Sequence, residues 1–363
     1  MLTIVKRSGS HPLQVVIPPP ELVHVYPKSI RYKHIGLITG PLLPRVSHLS
    51  IVTRSVYDTL RICRTFEGCE ADQLQQLNFI AFPGSGELFG LHPPRLRFLY
   101  LCRVDSWPAR IAENLTHVHL GGNLNPDTLE RDLKHSPRLE EIRIDNVYQV
   151  PERVGDHPKI TLMPGVRLLI TSSQNTVASL FVLGSTNCLS IRTTNIAITS
   201  IPMTSFLRFA LPQDLSRFRN LDSLTGVQLR LIDSGEDPHA RTARTVTVVL
   251  RCFTADSEML HVEVEYILTC PRTQTAMERE IVPERPPAMR ALNYLLPLNL
   301  KNVAELRMEG FVGEWGLQSF ELHHFLQNMP ALTHITTGDD NKGIFRVALD
   351  TTPRSPPVVL EGV

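Results

Sequence analysis

Leu96-Arg97-Phe98-Leu99-Tyr100-Leu101, Leu115-Thr116-His117-Val118-His119-Leu120 and Leu139-Glu140-Glu141-Ile142-Arg143-Ile144 are three copies of one apolar pattern, LxxLxL. Recurrence of this signature at a period of roughly 20–30 residues marks a leucine-rich repeat. Each copy predicts one short strand, and successive strands predict a curved parallel sheet. The apolar positions point into the stack, where each repeat buries its leucines only against its neighbours. The intervening residues point outward. On the concave face the central copies offer Tyr100, His119, Arg143 and Asp145 as candidate partner-binding residues, and a later copy adds Arg307 and Glu309.

Working outward, the same register occurs at Val46-Leu49-Ile51, Leu74-Leu77-Phe79, Val166-Leu169-Thr171, Leu224-Val227-Leu229, Val303-Leu306-Met308 and Leu332-Ile335-Thr337. Helical segments fit between them. Ser55 is a natural N-cap for a helix to Phe66, with Val56, Leu60, Ile62, Cys63 and Phe66 as its apolar positions. Asn125 caps a second helix and Pro126 suits its first position. Ser173–Leu183, Met289–Leu298 and Leu317–Met329 are also helix-like. A strand is expected at Leu13–Ile17, ended by Pro18-Pro19-Pro20, with mostly loop over 21–44 and another loop at Pro83–Gly86.

Residues 232–285 break the repeat. Asp233–Pro238 predicts a loop. Thr245–Phe253 and Leu260–Leu268, joined by Thr254–Ser257, predict a hairpin or two edge strands, because Leu260, Val262, Val264 and Tyr266 alternate with His261, Glu263 and Glu265. The fold class is therefore α/β, an irregular leucine-rich-repeat-like solenoid. It has a curved parallel sheet, helices on the convex side and an inserted β-hairpin. The expected divisions are a capping segment at 1–44, the solenoid at 45–231, the hairpin insertion and loop at 232–288, C-terminal repeats at 289–340 and a partly disordered tail at 341–363.

Bulk composition narrows the function. Among 363 residues, 37 Lys+Arg balance 36 Asp+Glu, so no basic excess marks a nucleic-acid or membrane surface. Neither a transmembrane run nor a signal peptide is expected, which predicts the cytoplasm or nucleus. Six scattered cysteines without a CxxC pair predict free thiols. The sequon Asn114-Leu115-Thr116 falls inside a repeat and is read as structural.

No chemical motif is complete. His117 and His119 share a strand face but lack the further ligands zinc needs. Glu321-Leu322-His323-His324 is not HExxH. Gly84-Ser85-Gly86 with Gly90 misses both the dinucleotide fingerprint and the nucleophile elbow. Glu263 and Glu265 read as charges that protect an edge strand. Cys63 and Cys69 have no recognisable histidine partner. The sequence predicts no catalytic residue, no cofactor and no metal.

The opening Lys6-Arg7-Ser8-Gly9-Ser10-His11-Pro12-Leu13, with the irregular repeats and proline punctuation, resembles the leucine-rich part of fungal F-box proteins. The resemblance spans roughly residues 5–340. It implies a substrate receptor of an SCF-type ubiquitin ligase. The F-box itself is expected upstream of residue 7, and Leu43-Pro44 leads into a strand register instead of an F-box. A contact with the ligase core thus depends on a segment not seen here. The expectation is a non-enzymatic, monomeric protein-interaction scaffold. The alternatives are a cryptic hydrolase or other enzyme whose site is not visible in sequence, and a truncated product without independent function.

Overall fold

The computed structural model describes residues 11–17, 42–53, 55–81, 93–103, 109–122, 124–145, 159–171, 175–184, 187–198, 211, 215–236, 243–269, 295–296, 298–310, 319–350 and 357–362. The expectations for Pro18–Pro20, Pro83–Gly86, residues 271–288 and most of Met289–Leu298 lie outside them. The chain divides into two compact units, residues 1–160 and 161–363. Both are α/β with mostly parallel sheets.

The first unit runs β1 (Leu13–Ile17), β2 (Val46–Val52), α1 (Val56–Phe66), β3 (Gln76–Ile80), β4 (Phe98–Cys102), α2 (Ala109–Ala112), β5 (His117–Gly121), α3 (Pro126–Lys134) and β6 (Glu141–Asp145). Each strand pairs in parallel with the next in chain order. The apolar pattern explains the stacking. Leu49, Leu77, Leu99, Val118 and Ile142 form one buried column, and Ile51, Phe79, Leu101, Leu120 and Ile144 form the next. The leading leucines, Leu74, Leu96, Leu115 and Leu139, are buried in the turns that enter the strands. Beside them runs a polar ladder. Arg95 donates to Gln73, Asn114 Nδ2 donates to the Pro94 carbonyl, and Arg138 donates to Asn114 Oδ1, all within 3.0 Å. Asn114 of the sequon is thus a member of this ladder.

The caps form as expected. Ser55 Oγ accepts from Asp58 N, and Asn125 Oδ1 accepts from Asp127 N and Thr128 N. The inner face of α1 differs from the predicted one. Asp58, Thr59, Ile62 and Phe66 are buried, while Val56 and Leu60 are exposed. A buried hydroxyl pair, Thr53 with Thr59 at 2.6 Å, draws that side of the helix inward.

The second unit begins beside the two-residue β7 (Ile160–Thr161) and contains β8 (Arg167–Thr171), β9 (Phe181–Val182), β10 (Leu189–Ile198), β11 (Gly226–Glu236), β12 (Ala243–Phe253), β13 (Glu258–Thr269), β14 (Glu305–Glu309), α4 (Ser319–Gln327), β15 (His334–Thr337), α5 (Asp339–Asp350) and β16 (Val359–Gly362). Its sheet order is β8-β10-β13-β12-β11-β14-β15-β16. Among the described pairs of this sheet, β13–β12 and β12–β11 are antiparallel and the others parallel.

Several expectations are corrected here. The hairpin exists, but β13 pairs with β10 on one side and β12 on the other, so Glu263 and Glu265 sit on an interior strand, not an edge. Asp233–Glu236 belongs to β11, which outgrows the predicted loop because Asp233 and Glu236 keep partners on β12. At β8 the buried residues are Leu168 and Ile170, with Val166 just before the strand; Leu169 faces outward, one position from the predicted register. Residues Asn175–Leu180 form a 3-10 turn and Phe181 starts β9, in place of one longer helix. Within 341–363, where a partly disordered tail was expected, Asn341, Phe345 and Ala348 form a narrow buried stripe that docks α5. Among the described residues, no helix is long and apolar enough to cross a membrane.

Candidate functional site

The parallel register of the first unit carries the outward residues into rows across the strands. One row is His48, Gln76, Phe98, His117 and Glu141. The next is Ser50, Asn78, Tyr100, His119 and Arg143, and a third ends Cys102, Gly121, Asp145. Because a strand alternates its side chains, these rows lie opposite the buried columns.

Four of the six predicted residues meet on this face. The His119 ring packs against Tyr100 with centroids 4.3 Å apart. Its Nε2 lies 2.5 Å from Asp145 Oδ2. Arg143 Nε is shared between both Asp145 oxygens at 3.2 Å. One carboxylate therefore orients an imidazole and a guanidinium, while a phenol ring supports the imidazole from the neighbouring strand. The Asp145 side chain is 15% exposed against 31% for His119 and 48% for Arg143, so the anion is the sheltered centre and Arg143 the accessible rim.

A second stack, Phe98 with His117 at 4.6 Å, runs beside the first. Together with Gln76, Asn78 and Glu141 the two stacks line an open concavity of about 350 Å³. The residues missed in sequence, Phe98, Asn78 and Gln76, follow the same alternation as Tyr100. Reading every outward position of the neighbouring copies would have found them.

Burial pushes the Tyr100 hydroxyl above its ordinary range, helped by neighbouring Cys102 and Asp145 and opposed by Arg143. Burial likewise raises the Cys102 thiol, against Arg103 and the Tyr100 hydrogen bond. The Tyr100 hydroxyl and the Cys102 thiol are thus both driven toward their protonated forms.

Arg307 and Glu309 lie on β14 of the second unit. Arg307 Nε pairs with Glu305 at 2.5 Å, and Glu309 takes Arg230 and Gln228, each at 3.3 Å. These charges are neutralised within their own sheet. His323 packs locally, facing the Ala348 carbonyl and Gln327. Glu263 pairs with Arg192 at 3.2 Å. Among the described residues no group of three or more His, Cys, Asp or Glu side chains is placed to hold a metal, and Cys63, Cys69, Cys102, Cys188 and Cys252 are free thiols.

No protein-family model matches the chain, and no curated protein matches it.

Proposed function

We propose that the chain is a non-enzymatic protein-binding scaffold of the irregular leucine-rich-repeat type, and that a protein partner docks on the outward face of its first unit. The observation that carries this reading is the coupled set Tyr100, His119, Asp145 and Arg143, held on consecutive parallel strands with its core on the opposite face. Tyrosine and arginine are the side chains that most often dominate interfaces, and here both are pre-positioned by neighbours, which lowers the ordering cost of binding.

The narrower role of a substrate receptor for an SCF-type ligase, acting in the cytoplasm or nucleus, rests on the resemblance of Arg7-Ser8-Gly9 and Pro12-Leu13 to a segment of fungal F-box proteins.

Affinity capture with the whole chain, followed by mass spectrometry, tests both levels. Proteins held by wild type and lost by a Tyr100→Ala/Arg143→Ala variant of unchanged melting temperature are the partners of this face. Direct titration of such a partner should show at least about 30-fold weaker binding to the variant. An identical captured set from both proteins refutes the docking face. Capture of cullin-based ligase components supports the receptor role, and their absence from every preparation removes it.

A further inference from the structure

β16 is the outermost strand of the second unit's sheet, and among the described residues no strand lies on its far side. Val359 N donates to the Thr333 carbonyl at 2.8 Å, and Val359–Gly362 pairs in register with His334–Thr337 of β15. Successive residues of a strand direct their backbone groups to opposite sides. Leu360 and Gly362 therefore turn their N–H and C=O away from β15, where no strand of the described residues pairs with them. An edge of this kind is a template for a further strand.

The side chains of β16 are equally unfinished. Ile335 is buried, but Leu360, its register partner, is only half-buried, and Val359 is 47% exposed. No lysine or proline guards Val359–Gly362. Its one charge, Glu361, is exposed and has no cation partner among the described residues. Glu361 also borders an open concavity of about 470 Å³ with Phe253, Glu305 and His334. Among the described residues no lysine or arginine lines that space. Glu305 is already engaged by Arg307, so of these two carboxylates Glu361 is the one without a cation among the described residues. Lys342 is held by Asp339 at 2.7 Å and approaches Gly362, whose register places it on the other face.

We infer that β16 accepts an extended segment of a protein partner as an added strand, with a lysine or arginine of that segment placed against Glu361. Backbone pairing to Leu360 and Gly362 supplies the attachment. An apolar residue of the segment covers Leu360, and the basic residue selects it by charge. This surface is separate from the first-unit face and stands independently of it.

The test uses the full chain and two fluorescein-labelled octapeptides, one alternating lysine and valine, the other alternating glutamate and valine. The lysine peptide should bind by fluorescence anisotropy and slow hydrogen exchange at the Leu360 and Gly362 amides. The glutamate peptide should bind at least fivefold more weakly. Glu361→Lys should invert that order, whereas Glu130→Lys, the same charge change on α3, should leave it unchanged. A lysine peptide N-methylated on alternate backbone nitrogens should lose binding. Equal affinity for both octapeptides, binding indifferent to Glu361→Lys, or slowed exchange confined to other strands would overturn the proposal.

Discussion

Gly226 lies directly beneath the ring of Phe253, its cross-strand partner between β11 and β12. A Cβ at 226 would stand 2.0 Å from Phe253 Cε2 and 2.3 Å from Cζ, against an ordinary carbon separation of about 3.5–4.0 Å. Phe253 is half-exposed, so in Gly226→Ala the ring has room to swing away. Uncovering about a third of the 150–250 Å² an aromatic ring carries, at ~25 cal/mol per Å², costs about 1.5 kcal/mol. An off-rotamer ring adds ~0.5–1.5 kcal/mol. Opposing these, replacing glycine removes unfolded-state freedom worth ~0.4–1 kcal/mol. Gly226→Ala should therefore destabilise by about 1–2.5 kcal/mol. In a Phe253→Ala background the clash is gone and only the entropic gain remains, so the same substitution should stabilise by ~0.4–1 kcal/mol. The coupling is then about 2–3 kcal/mol, with a change of sign. Urea unfolding of wild type, both single variants and the double variant measures it directly. Additive effects within ~0.3 kcal/mol, or a neutral Gly226→Ala, would refute the claim that the ring covers the glycine.

Other expectations follow from the same structure. Phe79→Ala empties one position of a fully buried column and should cost about 3–5 kcal/mol in chemical unfolding. Asn125→Ala removes the acceptor for two amides at the start of α3 and should cost ~1 kcal/mol, with faster hydrogen exchange at Asp127 and Thr128 and little change at α1. Complete burial pushes the Cys252 thiol far up, with Glu258 adding to the effect. The folded state therefore keeps a proton that the unfolded state releases above about pH 8.5. Stability is full below that pH and should fall as pH rises past it, by up to ~1.4 kcal/mol per pH unit from this group. Cys252→Ala should flatten that alkaline loss in denaturation midpoints measured from pH 7 to 10.

The strands were legible where the inner columns are continuous. LxxLxL placed β2 to β6, β14 and β15, because every apolar position in those copies faces the stack. It misplaced β8, where Leu169 gives a false match and Leu168 carries the burial. It lost α5 because the buried stripe there holds one aromatic residue, one alanine and an asparagine, too little apolar contrast to stand out. In the candidate site, alternation identified Tyr100, His119, Arg143 and Asp145 as outward residues. It could not reveal that Asp145 holds both His119 and Arg143, since that contact depends on which strands adjoin and in what register. The interior position of Glu263 was hidden for the same reason. Nothing local in β13 tells that β10 will lie against it.

The stack of the first unit also sets how it comes apart. Each interior strand is braced on two sides, but among the described residues β1 pairs only with β2, and its Val16 is 64% exposed. Opening should begin there as fraying, with β1 exchanging its amide hydrogens first, β2 next, and β4 and β5 only in rarer and larger excursions. The cluster around His119 sits at the slow end of that gradient, so a partner would meet a face that stays assembled while the outer strand breathes.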